Sequence, residues 1–282
     1  MNAEGDMLYV YAIVAGDDYT PAVTGIDGSA LHTVGRDTGP RAVVHRHTRG
    51  PFDGPDDAVR RWVLEHSEVI EDAWQNSPAL LPVSFNVIVR SDPETEATAT
   101  QQLEHWLDGS AETLSRRLEE LRDTSELRVE LSLDGSLLEE VDAEVGDMRT
   151  EMERRPAGVR RLLEKRLEKT EKEIVDRAAD RIYPEVRARI AARCLDIEEH
   201  RSTSLESGLT PVIMASCLVR STEIRALGAE LTALKKAQPA LSIRFLGPWP
   251  PYSFADVSIS EERNPNGSAS DAPTPNPQGE TT

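Results

Sequence analysis

Met7 to Val14 reads MLYVYAIV, apolar on both alternating faces, which is the pattern of a central strand buried between layers. It predicts the interior of a first domain. Ala30 to Val34 and Arg41 to His47 are strand candidates flanking GRDTGP, whose glycines and proline read as a hairpin-like turn. Asp53, Gly54 and Pro55 set an acceptor side chain ahead of a proline, and Val59, Trp62, Val63, Val69, Ile70 and Ala73 follow at helical spacing. A helix over about 55–76 is predicted. After Ser77 and Pro78, LLPVSFNVIV aligns Leu81, Val83, Phe85, Val87 and Val89 at period two, a half-buried strand whose polar face carries Ser84 and Asn86.

Ser91, Asp92 and Pro93 read as the start of the next helical region. Its apolar stripe of Leu103, Trp106, Leu107, Leu114, Leu118 and Leu121 is interrupted at Asp108-Gly109, so two helices can share the span. From Glu126 to Asp134, polar residues alternate strictly with Leu127, Val129, Leu131 and Leu133, the pattern of a one-faced strand. Residues 136–201 are highly charged. Val159, Leu163, Leu167, Ile174, Ala178, Ile182, Val186 and Ile190 still recur along one helical face, which predicts long helices forming an arm, with starts or kinks at Pro156 and Pro184. The heptad register is too loose to assert a dimeric coiled coil. Beyond Pro211, Val212 to Val219 predicts a buried strand, Ser221 a helix cap, Ile224, Leu227, Leu231 and Leu234 a helix, and Leu241 to Leu246 another strand, together a β-α-β unit. Residues 263–282 hold four prolines and no large apolar side chain, which predicts a flexible tail. The chain thus reads as α+β, with a domain over 1–122, a second over 123–262 carrying the arm at about 136–201, and the tail.

Charge narrows the function classes. Fifty acidic residues against 32 basic ones give a net charge of −18, which repels phosphate backbones and argues against a nucleic-acid partner. Only five of the basic residues are lysines, so 27 are arginines; acid-rich, lysine-poor surfaces resemble those of salt-loving archaea. At molar salt the screening length falls to about 3 Å and the self-repulsion of such a surface largely disappears, so a salt requirement for folding is expected. A merely acidic mesophilic protein is the alternative. The apolar run Val212 to Val219 is eight residues, far short of the roughly 20 needed to cross a bilayer, and MNAEGDMLYV has no basic n-region or small-residue cleavage site. These features predict a cytoplasmic chain and no lipid membrane partner. Cys194 and Cys217, in apolar patterns without metal-ligand spacing, read as buried reduced thiols.

Gly247 to Phe254 reads GPWPPYSF. Pro248, Pro250 and Pro251 remove three backbone donors, which argues against a helix or a regular central strand. A polyproline-type path would put Trp249 and Tyr252 on one face as a rigid aromatic ledge, either sealing the domain's own core or docking a partner. This octapeptide resembles the carboxy-terminal signature of the GvpF/GvpL family of gas vesicle proteins. HSEVIEDAWQNSPALLPVSFNVIV resembles that family's helix followed by its LP-x-x-F strand, and VIMASCLV resembles the strand before its final helix, so the resemblance covers roughly residues 7–259. Asn86 departs from the glycine usual after the phenylalanine. Length and polar tail are more like the L than the shorter F members from haloarchaea.

The resemblance implies two α/β domains of ferredoxin-like character with helices inserted in the second, a role in building gas vesicles, and neither catalysis nor cofactors. Enzyme signals in the residues are weak. His45-x-His47 projects two imidazoles to one side of a strand, but no ligand set completes a metal shell, and a solvated strand face is the simpler reading. GxSxG, HExxH and GxxxxGK[ST] are absent, and no small-molecule substrate is suggested. The expected role is that of an accessory or minor structural protein, located in the cytoplasm during assembly and at the gas vesicle, binding the hydrophobic shell protein and other accessory proteins. Candidate contact residues are Leu81, Val83, Phe85 and Val87, and Trp249, Pro250, Pro251, Tyr252 and Phe254. A general cytosolic holdase or scaffold of a halophile is the rival reading, and an undetected enzyme the third.

Overall fold

A computed structural model describes residues 7–16, 19–201 and 208–255 of the chain. The expected flexible tail at 263–282 lies outside the described residues. Two compact units are present: the described residues up to Arg122 together with Phe254 and Ala255, and Asp123–Ser253.

In the first unit, β1 (Met7–Ala15) lies inside a sheet with β2 (Leu31–Val34), β3 (Pro40–His47), β4 (Leu80–Pro82) and β5 (Ile88–Arg90). The order is β2-β3-β1-β4, and β5 also pairs with β1. Every side chain from Leu8 to Val14 is at most 1% exposed, which explains why MLYVYAIV carries no polar face. Tyr9, Tyr11 and Val14 share a core with Val69, Ile70 and Ala73 of α1 (Asp56–Asn76), while α2 (Ala99–Gly109) and α3 (Ala111–Glu120) also lie against β1 and bury Leu103, Leu107, Leu114 and Leu118.

Three local expectations are corrected in this unit. Asp53 does not cap α1, whose N-cap is Pro55 without a side-chain hydrogen bond; Asp56 and Asp57 in the first turn instead suit the positive end of the helix dipole. Ser91-Asp92-Pro93 begins no helix. The Asp92 carboxylate accepts from Glu94 N (2.8 Å) and Thr95 Oγ1 (2.8 Å), closing a turn, and α2 starts at a capping box between Thr98 and Gln101. LLPVSFNVIV is not one strand: Ile13 pairs with Leu81 and Leu8 with Val89, and Val83 and Val87 still hydrogen-bond to the β1 backbone, but the chain leaves the sheet between them.

In the second unit, β6 (Thr124–Asp134), β7 (Asp196–Glu199), β8 (Leu209–Arg220) and β9 (Leu241–Trp249) form an antiparallel sheet in the order β7-β8-β6-β9. Because β8 and β9 are both antiparallel to the intervening β6, they run parallel to each other, joined by α6 (Ile224–Ala237) in a split β-α-β unit. Leu127, Val129, Leu131 and Leu133 are each at most 2% exposed. They share a core with Ile174, Ala178, Val186 and Ile190 of α5 (Ala157–Ala191) and Leu227, Leu231 and Leu234 of α6. Each buried leucine or valine contributes about 1.5–3 kcal/mol. Before α5 comes α4 (Glu139–Glu153), and the two helices pack on each other.

Pro156 is the N-cap of α5, as a proline helix start predicts, whereas Pro184 sits inside the helix without ending it. The expected arm also contains a strand, β7, on the edge of the sheet. Ser221 caps nothing by its side chain; its hydroxyl donates to Asp123 O (3.0 Å), and a single 3-10 turn precedes α6. The face of β6 opposite the helices is less solvated than its alternation suggests, since Glu126 and Ser132 are buried there.

Candidate functional site

The residues singled out by the sequence fall in both units. In the first, Leu81 and Val83 point inward at 0% and 3% exposure, while Phe85 and Val87 are half-buried. Phe85 meets the rings of His66 and Tyr9 edge-on at 5.7 and 6.3 Å. Beneath it lies a polar network within the aromatic core. His66 Nε2 is 3.0 Å from Val83 O, which only accepts, so this nitrogen carries the proton and Nδ1 accepts from Tyr9 Oη at 3.1 Å. Tyr9 Oη in turn accepts from Asn86 N (2.9 Å). Tyr11 Oη accepts from Ile26 N (2.8 Å) and donates to His45 Nδ1 (2.7 Å), and His47 Nε2 donates to Gly50 O (2.9 Å). Burial pushes both His45 and His66 down to about 4 and drives the Tyr9 and Tyr11 hydroxyls above their ordinary range, so these four side chains are neutral at pH 7. His45 and His47 are 1% and 8% exposed, which replaces the solvated-face reading of the His-x-His pair. Among the described residues no group of three or more His, Cys, Asp or Glu side chains could hold a metal ion.

Asn86 holds the break between β4 and β5. Its φ is +70°, a left-handed conformation that asparagine tolerates better than most side chains, and its amide pairs with Phe52, accepting from Phe52 N (2.8 Å) and donating to Phe52 O (3.0 Å). The asparagine therefore performs the backbone task for which a glycine would be used, and adds two hydrogen bonds. Asn86→Ala is expected to destabilise the first unit by about 2–4 kcal/mol, and Asn86→Gly by roughly half that because it relieves the left-handed strain. Urea midpoints measured in molar potassium chloride check the order of the two.

In the second unit, β9 continues through Gly247, Pro248 and Trp249, with Trp249 opposite Glu126 across a register shift. Prolines are tolerated because β9 is an edge strand. The polyproline ledge does not form. Pro250 and Pro251 are buried, Tyr252 to Phe254 make one 3-10 turn with Tyr252 N donating to Pro250 O (2.8 Å), Trp249 is half-buried and Tyr252 is 43% exposed. Phe254, 4% exposed, belongs to the first unit, where Arg117 Nη2 donates to its carbonyl (2.6 Å).

Glu126 fixes this turn. Its carboxylate accepts from Ser253 N (2.8 Å) and Ser253 Oγ (2.6 Å); Ser253 Oγ is 3.1 Å from Ser216 Oγ, which is 2.9 Å from His200 Nε2. Sequence reasoning missed Glu126 and Ser216, since a glutamate and a serine on alternating strands look solvated. Both cysteines are free thiols, Cys217 buried but Cys194 only partly so, with its Sγ donating to Ile190 O (3.2 Å).

Comparison with known proteins settles what this fold carries. The sequence profile of the family described as "Gas vesicle synthesis protein GvpL/GvpF" matches residues 7–256. The chain belongs to the GvpL/GvpF family. "Gas vesicle protein L2" of Halobacterium salinarum is 28% identical over 274 residues, covering 92% of this chain and 95% of that protein. "Gas vesicle protein L" of Haloferax mediterranei is 26% identical, covering 83% and 73%. Both relatives are haloarchaeal, in keeping with the arginine-rich, lysine-poor composition. The crystal structure of GvpF from Microcystis aeruginosa superposes with a TM-score of 0.59 at 18% identity over 89% of this chain and 99% of that one. That of GvpF from Anabaena gives 0.57 at 17% identity over 92% and 100%. The mixed α/β fold is thus shared across a wide sequence distance. The GvpL/GvpF family is a gas vesicle family and not a known enzyme family. Among the described residues, no helix is long and apolar enough to cross a membrane.

Proposed function

We propose that this gas vesicle protein is an accessory component of vesicle assembly that binds the small hydrophobic shell protein through the β9 edge and the aromatic turn following it, without catalysis. The supporting observation is the juxtaposition of an edge strand with apolar surface: β9 ends the sheet order, Phe245 on it is 38% exposed, and Tyr252 just beyond is 43% exposed. An edge strand offers unpaired backbone groups for a further strand, and neighbouring aromatics supply the apolar contact. Trp249 and Tyr252 are the contact residues in this reading. Leu81, Val83, Pro250, Pro251 and Phe254 are buried and hold the scaffold; Phe85 and Val87 close the aromatic core of the first unit.

The physical need for such a partner follows from the shell itself. A subunit that presents an apolar face to gas aggregates in water unless that face is covered, because apolar burial is worth about 25 cal/mol per Å². A surface this rich in hydrated carboxylates stays in solution in brine even though salt screens its repulsion, and keeps its cargo in solution with it. The protein acts in the cytoplasm during assembly and at the vesicle, with other accessory proteins as additional partners.

The test is capture of the shell protein in molar potassium chloride by the wild type and by a Trp249→Ala/Tyr252→Ala variant. Binding is expected to fall at least about tenfold while the melting curve stays in place, as for a truncated aromatic hot spot. Undiminished capture by a folded double variant would overturn the docking assignment, and normal floating vesicles in cells lacking the protein would overturn the assembly role.

A further inference from the structure

The turn after α4 and the first half of α5 carry a charge opposite in sign to that of the chain as a whole. Residues 154–172 contain Arg154, Arg155, Arg160, Arg161, Lys165, Arg166, Lys169 and Lys172 against Glu164, Glu168 and Glu171, a local +5 within a total of −18. Three of the five lysines fall in this stretch. The charges are also sorted by face. Lys165, Arg166, Lys169 and Lys172 follow Leu162 at steps of three, four, seven and ten residues, so all five share one side of α5, and all five are exposed. Leu163 and Leu167 turn toward the half-buried side, and Glu171 pairs with Arg149 of α4 at 2.6 Å.

Among the described residues the exposed stripe itself contributes one ion pair to the unit that carries it, Lys169 with Glu173 at 3.6 Å. Arg160 and Arg161 lie near the N-terminus of α5, where the helix dipole disfavours cations, and the first turn holds no acidic residue. Arg161, Lys165, Arg166 and Lys172 make no ion pair among the described residues. Leu162 is 72% exposed and Val159, one turn before it, 44%. An exposed leucine heading a stripe of cations, of which only Lys169 has an ion-pair partner among the described residues (Glu173, 3.6 Å), has the chemistry of a recognition surface.

We infer that the outer face of α5 from Val159 to Lys172 docks an acidic amphipathic helix of another protein, separately from the shell-protein contact at β9. The occupant follows from shape and charge. The stripe is one helix wide, about 10–12 Å, and matches a second helix laid along it with carboxylates spaced three and four residues apart. A bilayer or a nucleic-acid duplex extends well past that width and would meet the acidic remainder of the chain. In concentrated salt only contact ion pairs survive screening, so Leu162 and Val159 supply the part of the affinity that salt does not weaken.

Fluorescence anisotropy in molar potassium chloride tests this, using as probe a labelled peptide of about three heptads with leucine at the a and d positions and glutamate flanking them. The wild type is expected to bind it. Lys165→Glu/Arg166→Glu/Lys169→Glu and, separately, Leu162→Asp should each weaken binding at least about tenfold with unchanged melting, since these side chains are exposed. The Trp249→Ala/Tyr252→Ala variant should bind the peptide as the wild type does, and the triple variant should still capture the shell protein, so the two contacts fail independently. Absence of peptide binding by the wild type, or equal binding by the triple variant, overturns the inference. So does tighter binding of phosphatidylglycerol vesicles or duplex DNA than of the peptide, or a dimer in sedimentation that the triple variant dissociates, which would make a second copy the occupant.

Discussion

Mild acid is expected to loosen the first unit well before its carboxylates titrate. His45 and His66 are neutral in the folded state, with burial holding both near 4 against an ordinary 6.5. In the unfolded chain they take up protons near pH 6.5, so the unfolded state binds more protons and stability falls as pH drops. The sign is that of a depressed folded value. The stabilisation is fully present above about 6.5 and is lost progressively down to about 4. Between pH 6 and 5 the two histidines together give a slope of about 2 kcal/mol per pH unit, and the total loss is on the order of 3 kcal/mol for each. Equilibrium unfolding in molar potassium chloride, followed by near-ultraviolet circular dichroism of Tyr9 and Tyr11, measures that slope. His66→Gln retains a donor for Val83 O but cannot titrate, so the slope should fall by about half. A slope unaffected by this substitution would show that His66 is not a source of the acid sensitivity.

Gly247→Ala is expected to be the most damaging single methyl group that can be added to the second unit. Gly247 has φ +111°, outside the range comfortable for any other residue, and a Cβ there would lie 2.9 Å from Glu126 O and 3.0 Å from Leu127 Cδ2. The first contact is backbone, which cannot swing aside. Relief would require displacing the end of β9 from β6, and with it Trp249 and Ser253, the partner that satisfies the buried Glu126 carboxylate. Strain and the loss of those hydrogen bonds together cost about 3–5 kcal/mol. Thermal melting in molar salt should register this as a large downward shift, whereas Gly146→Ala on α4, with nothing within 4 Å of the new carbon, should be neutral or slightly stabilising. A melting point unchanged by Gly247→Ala would mean that β9 is not held against β6 at this point.

Those two sites mark how far the sequence could be read. Strands such as β1 and β6 were legible because burial on two faces or one leaves a direct trace in the order of apolar residues, and the leucine stripes of α2, α3 and α6 were legible for the same reason. What stayed hidden depends on partners distant along the chain. Glu126 looks solvated until Ser253, 127 residues later, is seen to donate to it twice. His45 and His47 look like an open strand face until Tyr11, Gly50 and Phe52 close over them. The alternation of LLPVSFNVIV continues through a left-handed residue because period-two patterning records side-chain direction and not whether the backbone stays in the sheet. Where two start signals compete, as with Ser91-Asp92-Pro93 and Thr98, local chemistry alone does not decide; the glutamine three residues after Thr98 does.

The membership of Phe254 and Ala255 in the first unit bears on how the polypeptide matures. Arg117 is made early, but the Phe254 carbonyl to which it donates is made only after all of Asp123–Ser253 has been synthesised. A nascent chain leaving the ribosome can complete the second body while the first still lacks its last segment, so the earlier-made half is the later one to be finished.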